Sequence, residues 1–112
     1  MALGDFGEEL ATRYLVEQGY SILRRNWRSA AGEVDIVAAD SELTILCEVK
    51  ARHGSSRGHP TEAIGSNRLS RLAAAAECWI SDHPGVTVRL DAISILLAGE
   101  GIELRHLRGI QL

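Results

Sequence analysis

Two neighbouring segments of the chain alternate between two kinds of side chain, and this pattern constrains the fold more than any other feature of the sequence. The segments are Glu33–Ala39 and Leu43–Lys50, and every second residue in each is apolar: Val34, Ile36 and Ala38, then Ile45, Cys47 and Val49. A period of two is typical of β-strands, because successive side chains in a strand point to opposite faces. The short turn between the segments, centred on Ser41 and Glu42, predicts a β-hairpin.

The other face of this hairpin becomes charged at the end far from the turn. The apolar residues of both strands must lie on the same face of the hairpin. With a two-residue turn, this places Asp35 opposite Glu48 and Glu33 opposite Lys50. Cross-strand partners have Cβ atoms about 5 Å apart. The sequence therefore predicts that two carboxylates face each other across the strands, with a third carboxylate and an ammonium group beside them.

Two facing carboxylates repel each other unless they share a proton or a cation, and a hard divalent ion with oxygen ligands relieves that repulsion. We therefore expect Asp35 and Glu48 to hold Mg²⁺ or Mn²⁺, with Glu33 supporting the metal shell. Lys50, two residues beyond Glu48 on the same face, is placed to orient an attacking water and to stabilise charge on a phosphate. The alternative interpretation is a surface ion pair between Glu33 and Lys50, worth about 1 kcal/mol or less.

The rest of the chain supplies two helices and three further strands. Asp5 can cap a helix that runs to about Gln18, with Gly19 as its end. The other predicted elements are a helix over Asn67–Ser81 and strands over Tyr20–Trp27, Val86–Leu97 and Ile102–Leu107. The order αβββαββ predicts an α/β fold with a mixed central sheet flanked by helices. In that fold the passage from the third strand to the fourth is a right-handed parallel crossover.

Length and charge exclude several classes of protein. The chain has 112 residues, which is the size of one domain, 1–112. A net charge of −3 argues against a protein that coats nucleic acid through bulk positive charge, but it leaves room for a local basic groove. No apolar run approaches the roughly 20 residues that cross a bilayer, and the first residues lack the pattern of a signal peptide. We therefore expect a cytoplasmic protein that does not enter a membrane.

The charged residues of the hairpin resemble the motif of a nuclease superfamily. Asp35, followed after a gap by Glu48-Val49-Lys50, is similar to the D-(x)n-E-x-K signature of the restriction-endonuclease-like nucleases, which include archaeal Holliday junction resolvases. A longer set of residues, spread over nearly the whole chain, resembles the YraN-like family of uncharacterised bacterial proteins. These residues are Gly4-x-x-Gly7-Glu8, Gly19-Tyr20, Arg25-Asn26, Gly32-Glu33-Val34-Asp35, Glu48-Val49-Lys50, Arg52, Gly58, Pro60 and Arg89-Leu90-Asp91.

The resemblance implies a restriction-endonuclease-like fold and a metal-dependent nuclease that acts on DNA, with branched or recombination intermediates among its substrates. It places Asp35, Glu48 and Lys50 at catalytic positions and Glu8 at the position of the helix carboxylate that resolvases use. Glu8 also stands three residues after Asp5, where the partner of a helix-capping residue belongs. The sequence therefore leaves two roles open for Glu8.

Several arginines are candidates for contacts with a nucleic-acid backbone, namely Arg25, Arg52, Arg57, Arg68 and Arg71. If they converge around Lys50, they form a basic groove; the alternative is that they are scattered and solvated. Arg68 stands where the YraN-like family tends to have a lysine. That exchange preserves a phosphate contact but not proton transfer.

The leading hypothesis is therefore a nuclease that depends on Mg²⁺ or Mn²⁺ and hydrolyses DNA. The alternatives are a nucleic-acid-binding domain of the same fold without turnover, and a structural or partner-binding domain whose carboxylates form only ion pairs. A chain this small covers little duplex, so a homodimer that cuts two strands is a further expectation. Lys50 is the only lysine among the 12 basic residues, and its place in the Glu-x-Lys motif favours a site that needs an amine.

Overall fold

The computed structural model describes residues 2–54 and 66–110, and their elements follow the order that the sequence predicts. The elements are α1 (Leu3–Glu17), β1 (Ser21–Ser29), β2 (Gly32–Ala39), β3 (Thr44–His53), α2 (Ser66–Asp82), β4 (Val88–Ala98) and β5 (Gly101–Leu107). The strands form one sheet in the order β1-β2-β3-β4-β5. β3 and β4 run parallel, whereas all other neighbours run antiparallel. The predicted mixed α/β architecture, αβββαββ, is confirmed.

Each face of the sheet packs against one helix. The core on the α1 side consists of Ala11, Leu15, Ile36, Ala38, Ile45, Cys47, Ile93 and Ile95. The core on the α2 side consists of Val34, Val37, Leu46, Leu72, Ala75, Ala76 and Trp79. The middle strands are therefore apolar on both faces, as strands between two helical layers must be. Neither helix in the described ranges is long and apolar enough to cross a membrane.

The alternation of β2 shifts at Asp35. The sequence predicts Val34 on the same face as Ile36 and Ala38, but Val34 packs with Val37 against α2. A strict period of two cannot put Val34 and Val37 on one face. The prediction for Val34 is therefore wrong, because the strand changes its facing between Val34 and Ile36.

The β2–β3 hairpin has the predicted register. Ile36 lies opposite Cys47, and this register continues to the turn, so the turn has two central residues. Asp40 closes the turn: its N–H donates to the carbonyl of Leu43 at 3.0 Å, and its Oδ1 accepts the N–H of Leu43 at 2.9 Å. An aspartate at this position is typical of tight turns, because its side chain satisfies the turn's own backbone donors.

α1 begins earlier than the sequence predicts. Its N-cap is Ala2, which makes no side-chain capping hydrogen bond, so the predicted start at Asp5 is wrong. Asp5 lies inside the first turn, where its negative charge interacts favourably with the helix dipole. The capping box of Asp5 and Glu8 is therefore not formed, which removes one of the two roles open for Glu8. The predicted end is confirmed, since Gly19 follows the helix with a φ of +99°.

Candidate active site

A pocket of about 160 Å³ opens where β2 and β3 separate beside the first turn of α2. The residues that line it are Gly32, Glu33, Asp35, Glu48, Arg68 and Arg71. Three carboxylates and two guanidinium groups therefore share a small volume. The apolar cores beneath hold the strands and the helix in place, so the charged groups are positioned by elements that cannot easily separate.

Asp35 lies at the point where the β2–β3 ladder ends. The last paired residues are Ile36 and Cys47. Beyond them the Asp35 side chain takes the place of the β2 backbone, because its Oδ2 accepts the N–H of Val49 at 2.7 Å. A hydrogen bond to an ionised acceptor is short and strong. This bond fixes the Asp35 carboxylate against β3.

The carboxyl groups of Asp35 and Glu48 contact each other, as the hairpin register predicts. A hydrogen bond joins the two side chains, and Glu48 is buried, with 6% of its surface exposed. Burial raises the pKa of both groups, and the charge of Asp35 adds to this effect on Glu48, whose pKa rises to about 7. The pair therefore favours a shared proton near neutral pH unless a cation takes its place.

Arg68, in the first turn of α2, forms an ion pair with Oε1 of Glu48. Half of the arginine side chain is exposed, whereas the glutamate side chain is buried. The charge of Arg68 lowers the pKa of Glu48 and of Asp35, but burial outweighs it at both. The residue that the sequence predicts to contact a nucleic-acid phosphate thus has a carboxylate of the site as its partner.

The predicted pair between Glu33 and Lys50 is wrong. Glu33 forms an ion pair with Arg28 of β1 at 3.2 Å. The reason is that β1 and β2 remain paired as far as Gly32, whereas the β2–β3 ladder has already ended at Ile36. Glu33 lines the pocket, but its carboxylate is held by Arg28, and its support of a metal shell stays a prediction.

Lys50 lies on β3 two residues beyond Glu48, next to Ser94 of β4, and it is partly buried. The alternation of a strand places Lys50 on the same face as Glu48. Within residues 2–54 and 66–110, no carboxylate forms an ion pair with its ammonium group. The ion-pair alternative for Lys50 therefore has no partner in the part of the chain that the structure describes.

Glu8 reaches the site from α1, which approaches β3 closely at Gly7. A Cβ added to Gly7 would lie 2.6 Å from the Cβ of Ala51. Burial raises the pKa of Glu8, and so does the nearby charge of Asp35. Its Oε1 is buried and has no hydrogen-bond partner among the described residues. The charge of Asp35 therefore acts on Glu8, and the role that the family resemblance implies for Glu8 stays a prediction.

Asn26 of β1 is a residue of the site that the sequence analysis missed. Its φ of +51° is the only positive value at a non-glycine residue in the described ranges, and the β1–β2 register sets it opposite Asp35. A hydrogen bond from its side chain lowers the pKa of Glu8. Asparagine tolerates this left-handed conformation better than most residues. The signal in the sequence was an asparagine, which strands disfavour, inside a predicted strand.

The carboxylate oxygens of the site fit a hard divalent cation such as Mg²⁺. Asp35 and Glu48 offer adjacent carboxylate oxygens, and Oε1 of Glu8 has no partner among the described residues. In the same part of the chain, no three His, Cys, Asp or Glu side chains converge into a complete ligand set. Mg²⁺ usually keeps several waters and binds through one or two carboxylates together with substrate phosphates. A pair of carboxylates is therefore sufficient for this class of site.

The arginines predicted to contact nucleic acid lie on different elements of the fold. Arg68 and Arg71 of α2 line the pocket. Arg25 forms an ion pair with Glu9 of α1 at 3.0 Å, so it does not join them. The other two are Arg52, partly buried on β3, and Arg57, which lies outside the described residues. The structure thus brings two of the four arginines that it describes to the carboxylates.

A second cluster of buried polar groups lies on the α1 side of the sheet, away from the pocket. Asp91 of β4 is fully buried and accepts two hydrogen bonds from Arg89, at 2.7 and 2.8 Å. It also contacts Nε2 of His106 at 2.7 Å, and Nδ1 of His106 lies 2.9 Å from the hydroxyl of Tyr14. Burial opposes ionisation, but these hydrogen bonds lower the pKa of Asp91 to about 2. The network ties β5 to α1.

Comparison with known proteins finds relatives that match along almost the whole chain. The pattern of the uncharacterised protein family UPF0102 matches residues 7–95. A UPF0102 protein of Streptomyces griseus subsp. griseus is 42% identical over 97% of this chain and 95% of its own length. A UPF0102 protein of Arthrobacter sp. is 44% identical over 96% of this chain and 94% of its own length. The matched range includes every residue that lines the pocket.

Proposed function

This chain belongs to the uncharacterised protein family UPF0102, the YraN-like family whose motifs it carries, and we propose that it is a metal-dependent nuclease that hydrolyses phosphodiester bonds in DNA. Its fold, on this proposal, is restriction-endonuclease-like. The observation that supports the proposal best is the contact between Asp35 and Glu48. Two carboxyl groups forced together in a buried place reduce stability, and such arrangements cluster at functional sites.

The charged groups around the end of the hairpin have separate roles on this proposal. Asp35 and Glu48 would hold Mg²⁺ or Mn²⁺, and Glu8 would support the metal shell from α1. When bound, the cation polarises the phosphate and lowers the pKa of a water. The ammonium group of Lys50 orients the attacking water and offsets charge that grows on the phosphate oxygens.

The reaction is a hydrolysis, in which a water oxygen forms a bond to phosphorus while the bond from phosphorus to the leaving oxygen breaks. The water releases a proton to solvent, and the leaving oxygen takes one up. Arg71 lines the pocket beside the carboxylates, where its guanidinium binds a backbone phosphate and holds the strand in register. Contacts of Arg52 and Arg57 with the backbone stay predictions.

A cleavage assay on the purified chain tests the proposal. The substrates are duplex, single-stranded and four-way junction DNA, each incubated with Mg²⁺, with Mn²⁺ or with EDTA. We expect metal-dependent cleavage by the wild type and none by Lys50→Ala. Arg105→Ala removes an exposed charge on β5 and is the matched control, expected to cleave like the wild type. Equal cleavage by wild type and Lys50→Ala, or cleavage in EDTA, overturns the proposal.

A second candidate function is DNA binding without turnover, and the ion pair between Glu48 and Arg68 favours it. That pair balances one carboxylate of the site without any metal. A protein of this kind binds DNA in a salt-dependent manner, because Lys and Arg release counterions from the phosphates. Salt-dependent binding without cleavage in any arm of the assay selects this candidate.

A further inference from the structure

We propose that Arg68 is an internal cation of the site, which neutralises Glu48 in the free protein and is exchanged for a divalent cation when a DNA phosphate gives Arg68 another partner. The inference rests on the proposed nuclease function. It adds to that function a coupling between metal binding and DNA binding.

Arg68 is the one positively charged partner of Glu48 among the described residues. The side chain of Glu48 is 8% exposed, and Oε1, the atom paired with Arg68, has no hydrogen bond from another described residue. A divalent cation on the same carboxylate would bring two positive groups into contact in a largely buried place, where charges of like sign repel more strongly than in water. Arg68 and a divalent cation therefore compete for Glu48.

Arg68 has a second anion within reach whenever a phosphate enters the pocket. Half of its side chain is exposed, and Arg71, one helical turn further along α2, lines the same pocket. A guanidinium group binds phosphate through paired donors as readily as it binds a carboxylate. Arg68 can therefore move from Glu48 to a phosphate and keep an anionic partner throughout.

The exchange links the two ligands energetically. A phosphate that draws Arg68 away leaves Glu48 without a counter-charge, so the carboxylate then binds a divalent cation more tightly. Linkage is reciprocal, which means that the cation must tighten DNA binding by the same factor. In the free protein, by contrast, Arg68 weakens metal binding and keeps the site from holding a cation when no substrate is present.

The test measures Mn²⁺ binding by calorimetry, with and without a short DNA duplex, in chains that also carry Lys50→Ala so that the DNA stays intact. Arg68→Gln is compared with Arg71→Gln, which removes the same charge from the same pocket but leaves the Glu48 pair in place. We expect Arg68→Gln to tighten Mn²⁺ binding without DNA about tenfold, within the usual range for coupled sites. Arg71→Gln is expected to change it by about twofold or less. DNA should tighten Mn²⁺ binding by a clearly larger factor in chains that retain Arg68 than in Arg68→Gln, where only the direct contact between phosphate and cation remains.

The outcomes distinguish a failure of the exchange alone from a failure of the proposed metal site. Equal tightening by Arg68→Gln and Arg71→Gln means that only net charge matters, which overturns the exchange and leaves the proposed nuclease standing. If no chain binds Mn²⁺ with or without DNA, the proposed metal site fails and the exchange fails with it. Arg68→Lys, which keeps the charge but not the planar pair of donors, serves if Arg68→Gln does not fold. We expect Arg68→Lys to tighten Mn²⁺ binding by an intermediate factor. If its Mn²⁺ affinity equals that of the chain with Arg68, the exchange is overturned.

Discussion

The Oδ2 atom of Asp35 lies 2.7 Å from the backbone nitrogen of Val49 and accepts its hydrogen bond. The side chain of Asp35 therefore bonds to the backbone of β3 beyond the point where the pairing of β2 and β3 ends. The same contact holds Asp35 against Glu48, so one carboxylate has a structural role and a proposed metal-binding role. Substitutions at Asp35 can separate the two roles.

Asp35→Asn should keep the fold and lose the metal. The asparagine oxygen can still accept the N–H of Val49, and the amide removes the repulsion with Glu48, so the free energy of unfolding should stay within about 1 kcal/mol of the wild type. Asp35→Ala leaves that buried N–H without an acceptor and should cost about 1–3 kcal/mol. Urea unfolding measures both, and Mn²⁺ titration should show no binding to either variant. Equal stability of the two variants would contradict the structural role.

The stability of the metal-free protein should fall as pH rises from about 5 to about 7. The pKa of Glu48 is about 7 in the folded protein and 4.5 in an unperturbed glutamate, so the folded state keeps a proton that the unfolded chain releases over this range. The full effect is on the order of 3 kcal/mol. Glu48→Gln cannot titrate at this position and should lose much less stability over the same range. Urea unfolding of both proteins from pH 5 to pH 8 checks the prediction, and two parallel stability curves would refute it.

Two glycines of α1 should respond to alanine in opposite directions. In Gly7→Ala the new Cβ lies 2.6 Å from the Cβ of Ala51, so the helix must move off β3, at a cost of about 1–3 kcal/mol. The same shift moves Glu8 relative to Asp35 and, if the proposed function is right, should lower the rate of DNA cleavage. At Gly4 nothing lies within 4 Å of the added atom, and alanine should stabilise the helix by up to about 1 kcal/mol. Thermal melts of both variants test the contrast, which fails if Gly7→Ala is the more stable.

The network around Asp91 should control stability but not metal binding. Asp91→Asn leaves Arg89 without its carboxylate, and breaking such a buried pair should cost about 3 kcal/mol. Hydrogen bonds lower the pKa of Asp91 from 3.8 to about 2, so its stabilisation is present above pH 3.8 and is lost as pH falls towards 2. Wild type and variant should therefore converge in stability only in strong acid. Mn²⁺ affinity, measured at neutral pH, should be unchanged, because Asp91 lies on the α1 side of the sheet and does not line the pocket.

The hairpin register shows why part of the site could be predicted. The turn at Asp40 and the apolar alternation are properties of residues close together in the chain, and they place Ile36 opposite Cys47 and Asp35 against Glu48. The predicted pairing of Glu33 with Lys50 is wrong, because it requires a ladder that continues to the end of both strands. The strands separate at Asp35 instead.

Local sequence pattern by itself determined the order of the elements, the register of the hairpin and the meeting of two carboxylates, since each follows from spacing over a few residues. Tertiary structure decided the surroundings of Arg68 and Glu8. Arg68 pairs with Glu48 because α2 packs on the face of β3 that carries the glutamate, and Gly7 lets α1 approach the other face closely enough for the charge of Asp35 to act on Glu8. These contacts join residues far apart in the chain, so they depend on how the helices pack and not on any repeat that the sequence displays.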